Sequence, residues 1–297
     1  MPHAFKMDKE HAKDGLVVIL DESQAAETKE ALVGFMMQNF GKYGPSGAFI
    51  THSESPFPNG SKGIPFAAVI GVDGKLLLIG SPSGWGKKLD EALEGEFAKI
   101  KSGWGKSPEA KKARALMYGK GKLAEAAAVI AGAEGKIKDE ATEDFAAAKA
   151  ELTTRYTAIK NGIKVLMDQG RLVDAKSAAS KLQLAVKGKA DWEAEVAPLV
   201  ADFAKPEVEK ELALEKALTA IVKSIGDKRP TDDHEKHLKD LAKKNDGTKV
   251  GAHAAELAAA CSWKDPAIKS TKDKEDPKDP AKKDDPAKKD PAAPKGQ

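Results

Sequence analysis

The chain has 297 residues, with 49 Lys and Arg against 46 Asp and Glu and a net charge of +3. That balance excludes the one-signed field of a nucleic-acid or anionic-membrane binder, and no apolar run approaches the roughly 18 residues of a membrane helix. A lone cysteine, Cys261, excludes an internal disulfide. The residues are 41% hydrophobic, 5% aromatic and 32% charged. Rich in Ala, Lys, Glu and Leu, this composition suits charged helices around small cores.

Residues 3–14 read as the end of an amphipathic helix stopped by Asp14-Gly15. Leu16-Val17-Val18-Ile19-Leu20 is an uninterrupted apolar run, as in a strand covered on both faces. Over 25–40, Leu32, Phe35, Met36 and Phe40 share one helical face, and Gly41 and Gly44-Pro45 end the helix. Ala48-Phe49-Ile50 reads as a brief strand, and 51–63 is a Ser-, Pro- and Gly-rich loop. Ile64-Pro65 leads into a hairpin whose apolar runs, 66–72 and 75–80, flank Asp73-Gly74 and are expected to be buried. A helix over 87–101 presents Leu89, Ala92, Leu93, Phe97 and Ile100.

This order resembles a thioredoxin-like domain, specifically the TlpA-type thiol–disulfide oxidoreductases. His11 to Ile19 is similar to the family's exit from its redox helix. Ile64-Pro65 resembles its cis-proline step, and Asp73-Gly74-Lys75 its hairpin turn. The resemblance covers about residues 1–102 and implies an α/β domain whose first strand and Cys-x-x-C are missing. It implies a cis peptide at Ile64-Pro65, the alternative being a trans proline opening an edge strand. The family's enzyme activity is left undecided, because thiol–disulfide exchange needs a thiolate and a resolving sulfur, and none lies in this region. The expected function is a redox-inactive family member with weak peptide binding at Ile64 and Pro65. Two origins fit: a shortened form of a longer exported protein, or a non-redox descendant. As written the chain is expected in the cytoplasm; a shortened TlpA-like protein belongs in the periplasm or outside the cytoplasm.

Ser107-Pro108 starts a helical region that runs to about 263, with an N-cap hydroxyl followed by proline at the first helical position. Helices are expected over 108–118, 121–132, 139–168, 171–187, 190–204, 206–225, 232–244 and 248–262. Leu152, Tyr156, Ile159, Ile163 and Leu166 form one seam, and Val208, Leu212, Leu218, Ile221, Val222 and Ile225 another. Gln169-Gly170-Arg171-Leu172-Val173-Asp174-Ala175, with the turns at 121–126 and 246–248, resembles a degenerate tetratricopeptide-like array. Residues 264–297, rich in Lys, Asp, Pro and Ala, are expected to be disordered. The expected domains are therefore 1–102, 107–263 and the tail.

No residue is assigned catalysis, and no cofactor or metal is expected. His234 and His237 stand three apart on one helix without further converging ligands, the pattern of a polar face. Cys261, in an Ala-rich run with no adjacent His or Lys, reads as a packed thiol. Trp85 and Trp104 are expected to pack against the hairpin or the helical region. The alternative function is a non-enzymatic interaction protein that binds a protein or peptide partner through its helical array.

Overall fold

The Ser107 hydroxyl accepts a 2.8 Å hydrogen bond from the Ala110 amide, and Pro108 takes the first helical position. Helix starts and stops of this kind set the architecture. The computed structural model describes residues 2–21, 29–41, 49–51, 67–138, 140–226 and 228–264. Helix α1 (Pro2–His11) runs into a short 3₁₀ turn, and Gly15 follows in the left-handed conformation. Strand β1 (Ile19–Asp21), helix α2 (Lys29–Phe40) and strand β2 (Phe49–Thr51) come next. The hairpin is β3 (Ala67–Ile70) and β4 (Leu76–Gly80), followed by α3 (Lys87–Ser102).

Helix α4 (Pro108–Arg114) continues as a π-helical turn, Ala115–Gly119. Then come α5 (Leu123–Ala133), α6 (Ala141–Asp168), α7 (Leu172–Ala185) and α8 (Ala190–Ala201). Helices α9 (Pro206–Ile225), α10 (Asp232–Lys244) and α11 (Lys249–Cys261) complete the described chain. These bounds lie close to those expected, because glycine, proline and capping residues mark most of the ends.

Two apolar clusters hold the helices. One gathers Met117, Leu123, Ile130, Phe145, Leu152, Tyr156, Ile163, Leu182, Val196 and Phe203 from α4 to α8 and the turn that follows. The other gathers Leu172, Leu212, Leu218, Ile225, Leu238, Val250 and Leu257 from α7 and α9 to α11. Met167 and Val208 touch both, so the clusters adjoin. Both expected seams face these cores: Ile159 and Leu166 pack on the first, and Val208, Ile221 and Val222 on the second.

The expected incomplete thioredoxin-like α/β domain is not what forms; the fold is mostly all-α. Among the described residues the strands make two separate pairs, β1 with β2 in parallel and β3 with β4 antiparallel. A parallel strand needs cover on both faces, and this one lacks it: Ile19 is 64% exposed, and Val17 just before the strand is 59% exposed. Ile70, Leu76 and Ile79 of the hairpin are exposed as well, against the expectation of buried runs.

The apolar face of α2 goes elsewhere. Met36 and Met37 are 1% and 0% exposed. Met37 belongs to the α9–α11 cluster, with Val33 packed beside it. The hairpin and α1 rest on α3 instead. Glu96 Oε2 accepts from the Val72 amide (2.8 Å), and the His11 ring stacks on Phe97 at 5.3 Å. The tail from 265 onward, with its expected disorder, lies outside the described residues.

Candidate interaction site

Arg114 is the most enclosed charge in the helical region, 3% exposed. Its position in the last turn of α4 aims the guanidinium at α6. Nε and Nη2 donate to the two Glu151 oxygens at 2.9 and 2.7 Å, a bidentate fork. Nη1 donates to Asp144 Oδ1 at 2.6 Å and to the Trp104 carbonyl at 2.9 Å. Burial disfavours the charge, but Glu151 and Asp144 outweigh it and hold the guanidinium more firmly protonated than usual. Asp144 also accepts from the Lys106 and Ser107 amides (2.6 and 3.2 Å). Burial raises its carboxyl pKa, yet Arg114 and these amides together hold it below the usual value.

A row of two rings flanked by two cations stands on this base. The Arg114 guanidinium lies 5.4 Å from the centre of the Trp104 ring. Trp104 meets Tyr118 at 5.0 Å, and Arg155 covers the Tyr118 ring at 4.3 Å. Trp104, Tyr118 and Arg155 are all half-buried. Arg155 differs from Arg114 in its pairing. Its Nε is buried without a hydrogen-bond partner among the described residues, and burial lowers its pKa.

A second aromatic contact serves packing. Tyr156 and Trp192 stack at 4.2 Å with an interplanar angle of 5°, joining α6 to α8. Lys160 and Lys189 lie over the two rings, and the Tyr156 hydroxyl donates to Glu195 at 2.9 Å. Burial and the Glu195 carboxylate push the Tyr156 pKa up. A third polar group holds the joint between the clusters. Buried Glu215 on α9 accepts from the Val173 amide at the start of α7 (2.6 Å).

Ile64 and Pro65, the residues expected to bind peptide, lie outside the described residues, as does the expected cis bond. His234 has a structural role that its spacing did not disclose. Its Nδ1 accepts from the Thr231 amide at 3.0 Å, completing a capping box at the start of α10. No group of three metal-ligating side chains forms among the described residues. Cys261 is buried, and burial, with the Glu235 charge, pushes its thiol up to about 11. Trp104 packs on the helical region, one of the two surfaces expected for it.

The sequence reading missed the Arg114–Trp104–Tyr118–Arg155 row. Its members span three elements, and only the positions of two aromatics and two arginines were visible in the chain. No helix among the described residues is long and apolar enough to cross a membrane. No family model, curated protein or solved structure matches the chain, so both resemblances rest on sequence motifs alone.

Proposed function

We propose that this is a non-enzymatic interaction protein whose helical array binds an acidic segment of a partner protein along the Arg114–Trp104–Tyr118–Arg155 row. One observation carries the reading: Arg114 is saturated by two carboxylates, while Arg155 in the same row, beside the Tyr118 ring and hydroxyl, has a buried Nε without a hydrogen-bond partner among the described residues. Arg155 as a whole is half-buried, so a partner carboxylate would meet its guanidinium in a partly desolvated place, where charge-assisted bonds are strong. Trp, Tyr and Arg are also the side chains enriched among those that dominate interface energetics. The deeper cation orients the row, and the shallower one receives the partner.

Panning the full chain against displayed random peptides tests this. The expected winners carry Asp or Glu beside an apolar residue. Arg155→Glu should abolish their capture, and Arg155→Lys should weaken it, because lysine gives a point charge in place of the planar fork. Winners without acids, or equal capture by Arg155→Glu, would overturn the proposal.

A further inference from the structure

Arg155 stands one turn after Glu151 on α6, and Glu before Arg at this spacing is the favourable order for an ion pair within a helix. The other positions a turn away from Arg155 are Leu152, Ala158 and Ile159, so Glu151 is the one carboxylate at neighbour spacing along the helix. Yet Arg155 Nε has no hydrogen-bond partner among the described residues. Glu151 is held by Arg114, whose Nε and Nη2 engage its two oxygens at 2.9 and 2.7 Å. The Arg155 guanidinium lies over Tyr118 instead, 4.3 Å from the ring centre.

Two arginines thus contend for one carboxylate, and burial decides between them. Arg114 is almost fully enclosed, and an enclosed guanidinium left unpaired is strongly destabilising. It reaches across from α4 with its planar fork matched to both oxygens, a stronger contact than a pair along a helix surface. Arg155 is half-buried and tolerates the loss better. Glu151 nevertheless stays close to the row: burial and the Glu151 charge both raise the Tyr118 pKa.

We infer that Arg114 is a positioning residue for partner binding: by occupying both Glu151 oxygens it keeps Arg155 out of an ion pair within α6 and leaves that guanidinium for a partner carboxylate. This rests on the reading of the row as a site for an acidic segment. It gives Arg114 a role beyond orienting the row. The contact that satisfies the deeper cation also removes the local competitor for the shallower one.

The test uses three variants of the full chain: Arg114→Gln, Glu151→Gln and the two together. An acidic peptide from the panning is labelled with fluorescein and titrated with each, and anisotropy reads the affinity. Glu151→Gln alone should bind at least as tightly as wild type. Arg114→Gln should bind about tenfold more weakly, the worth of one charge-assisted bond, because Glu151 then turns onto Arg155. The double variant should return to the level of Glu151→Gln alone, a rescue that a merely structural role for Arg114 does not give. The Arg155 Nε–H resonance, read by NMR in arginine-labelled chains and assigned by its loss in Arg155→Lys, needs no partner. It should shift in Arg114→Gln and return in the double variant. If Arg114→Gln loses the helical circular dichroism of the array, Arg114→Lys takes its place. A lysine meets Glu151 as a point charge and leaves an oxygen free, so the same pattern is expected with a smaller loss. If no acidic peptide binds wild type, the reading of the row fails, and the resonance still decides the competition for Glu151. A binding loss that persists in the double variant, or an Arg155 resonance unmoved by loss of Arg114, would overturn the inference.

Discussion

Arg114 shows how one side chain fixes several elements at once. It ties the Trp104 carbonyl, α4 and two turns of α6 through four strong bonds. Arg114→Ala strands two carboxylates in a partly enclosed place, so a loss of about 3–5 kcal/mol is expected in urea unfolding. Arg114→Lys keeps the charge but not the fork and should recover less than half of that. Full recovery by lysine would show that charge alone matters.

Glu215 carries a pH dependence. Burial raises its pKa, the Val173 and Leu172 amides oppose this, and Asp174 adds to it while Arg171 subtracts. A carboxyl whose folded pKa is raised gives stability that is full below the unfolded value and is lost as pH rises through the folded value. Glu215→Gln removes that loss while keeping an acceptor for the Val173 amide. Its stability relative to wild type should therefore improve as pH rises above the ordinary glutamate pKa of about 4.3; an unchanged difference would contradict the assignment. Cys261, with its thiol pushed up to about 11, should react slowly with Ellman's reagent in the folded chain and fast in denaturant. Fast reaction in the native state would place the thiol outside the core.

At the scale of elements, the stacked pair Tyr156–Trp192 joins α6 to α8 within the first apolar cluster. Trp192→Ala should cost about 3 kcal/mol, at the low end for a large aromatic because the ring is only partly buried. Trp192→Phe should restore most of it, measured by thermal unfolding. The helices themselves were legible in the sequence. Ser107-Pro108, Gly170, Gly188 and Pro206 each mark an end through local chemistry, and the 152–166 seam gave the buried face of α6. The interaction row was not legible. Arg114 sits in a run of basic residues that reads as solvated surface, and its acceptors lie 30 and 37 positions downstream. No local pattern encodes such a pairing.

The whole molecule turns on where α2 goes. Its apolar face announced that it needed cover, but amphipathic spacing says nothing about who provides it. The order of the elements over 1–102 suggested a sheet. Among the described residues the strands instead stay in separate pairs, and α2 joins α9 to α11, more than 200 positions away in the case of Gln38 and Cys261. The seat is apolar: Met37 joins Leu257 and its neighbours in one buried cluster, while Ile19 of the short β1–β2 pair stays exposed.

Amide hydrogen exchange of wild type and Met37→Ala, read element by element, tests this placement most directly. Emptying the Met37 site should lower protection along α11, from Val250 to Cys261, and leave α3 and the β3–β4 hairpin unchanged. Loss of protection in α3 and the hairpin, with α11 unaffected, would mean that α2 covers a sheet after all and would contradict the helical assignment.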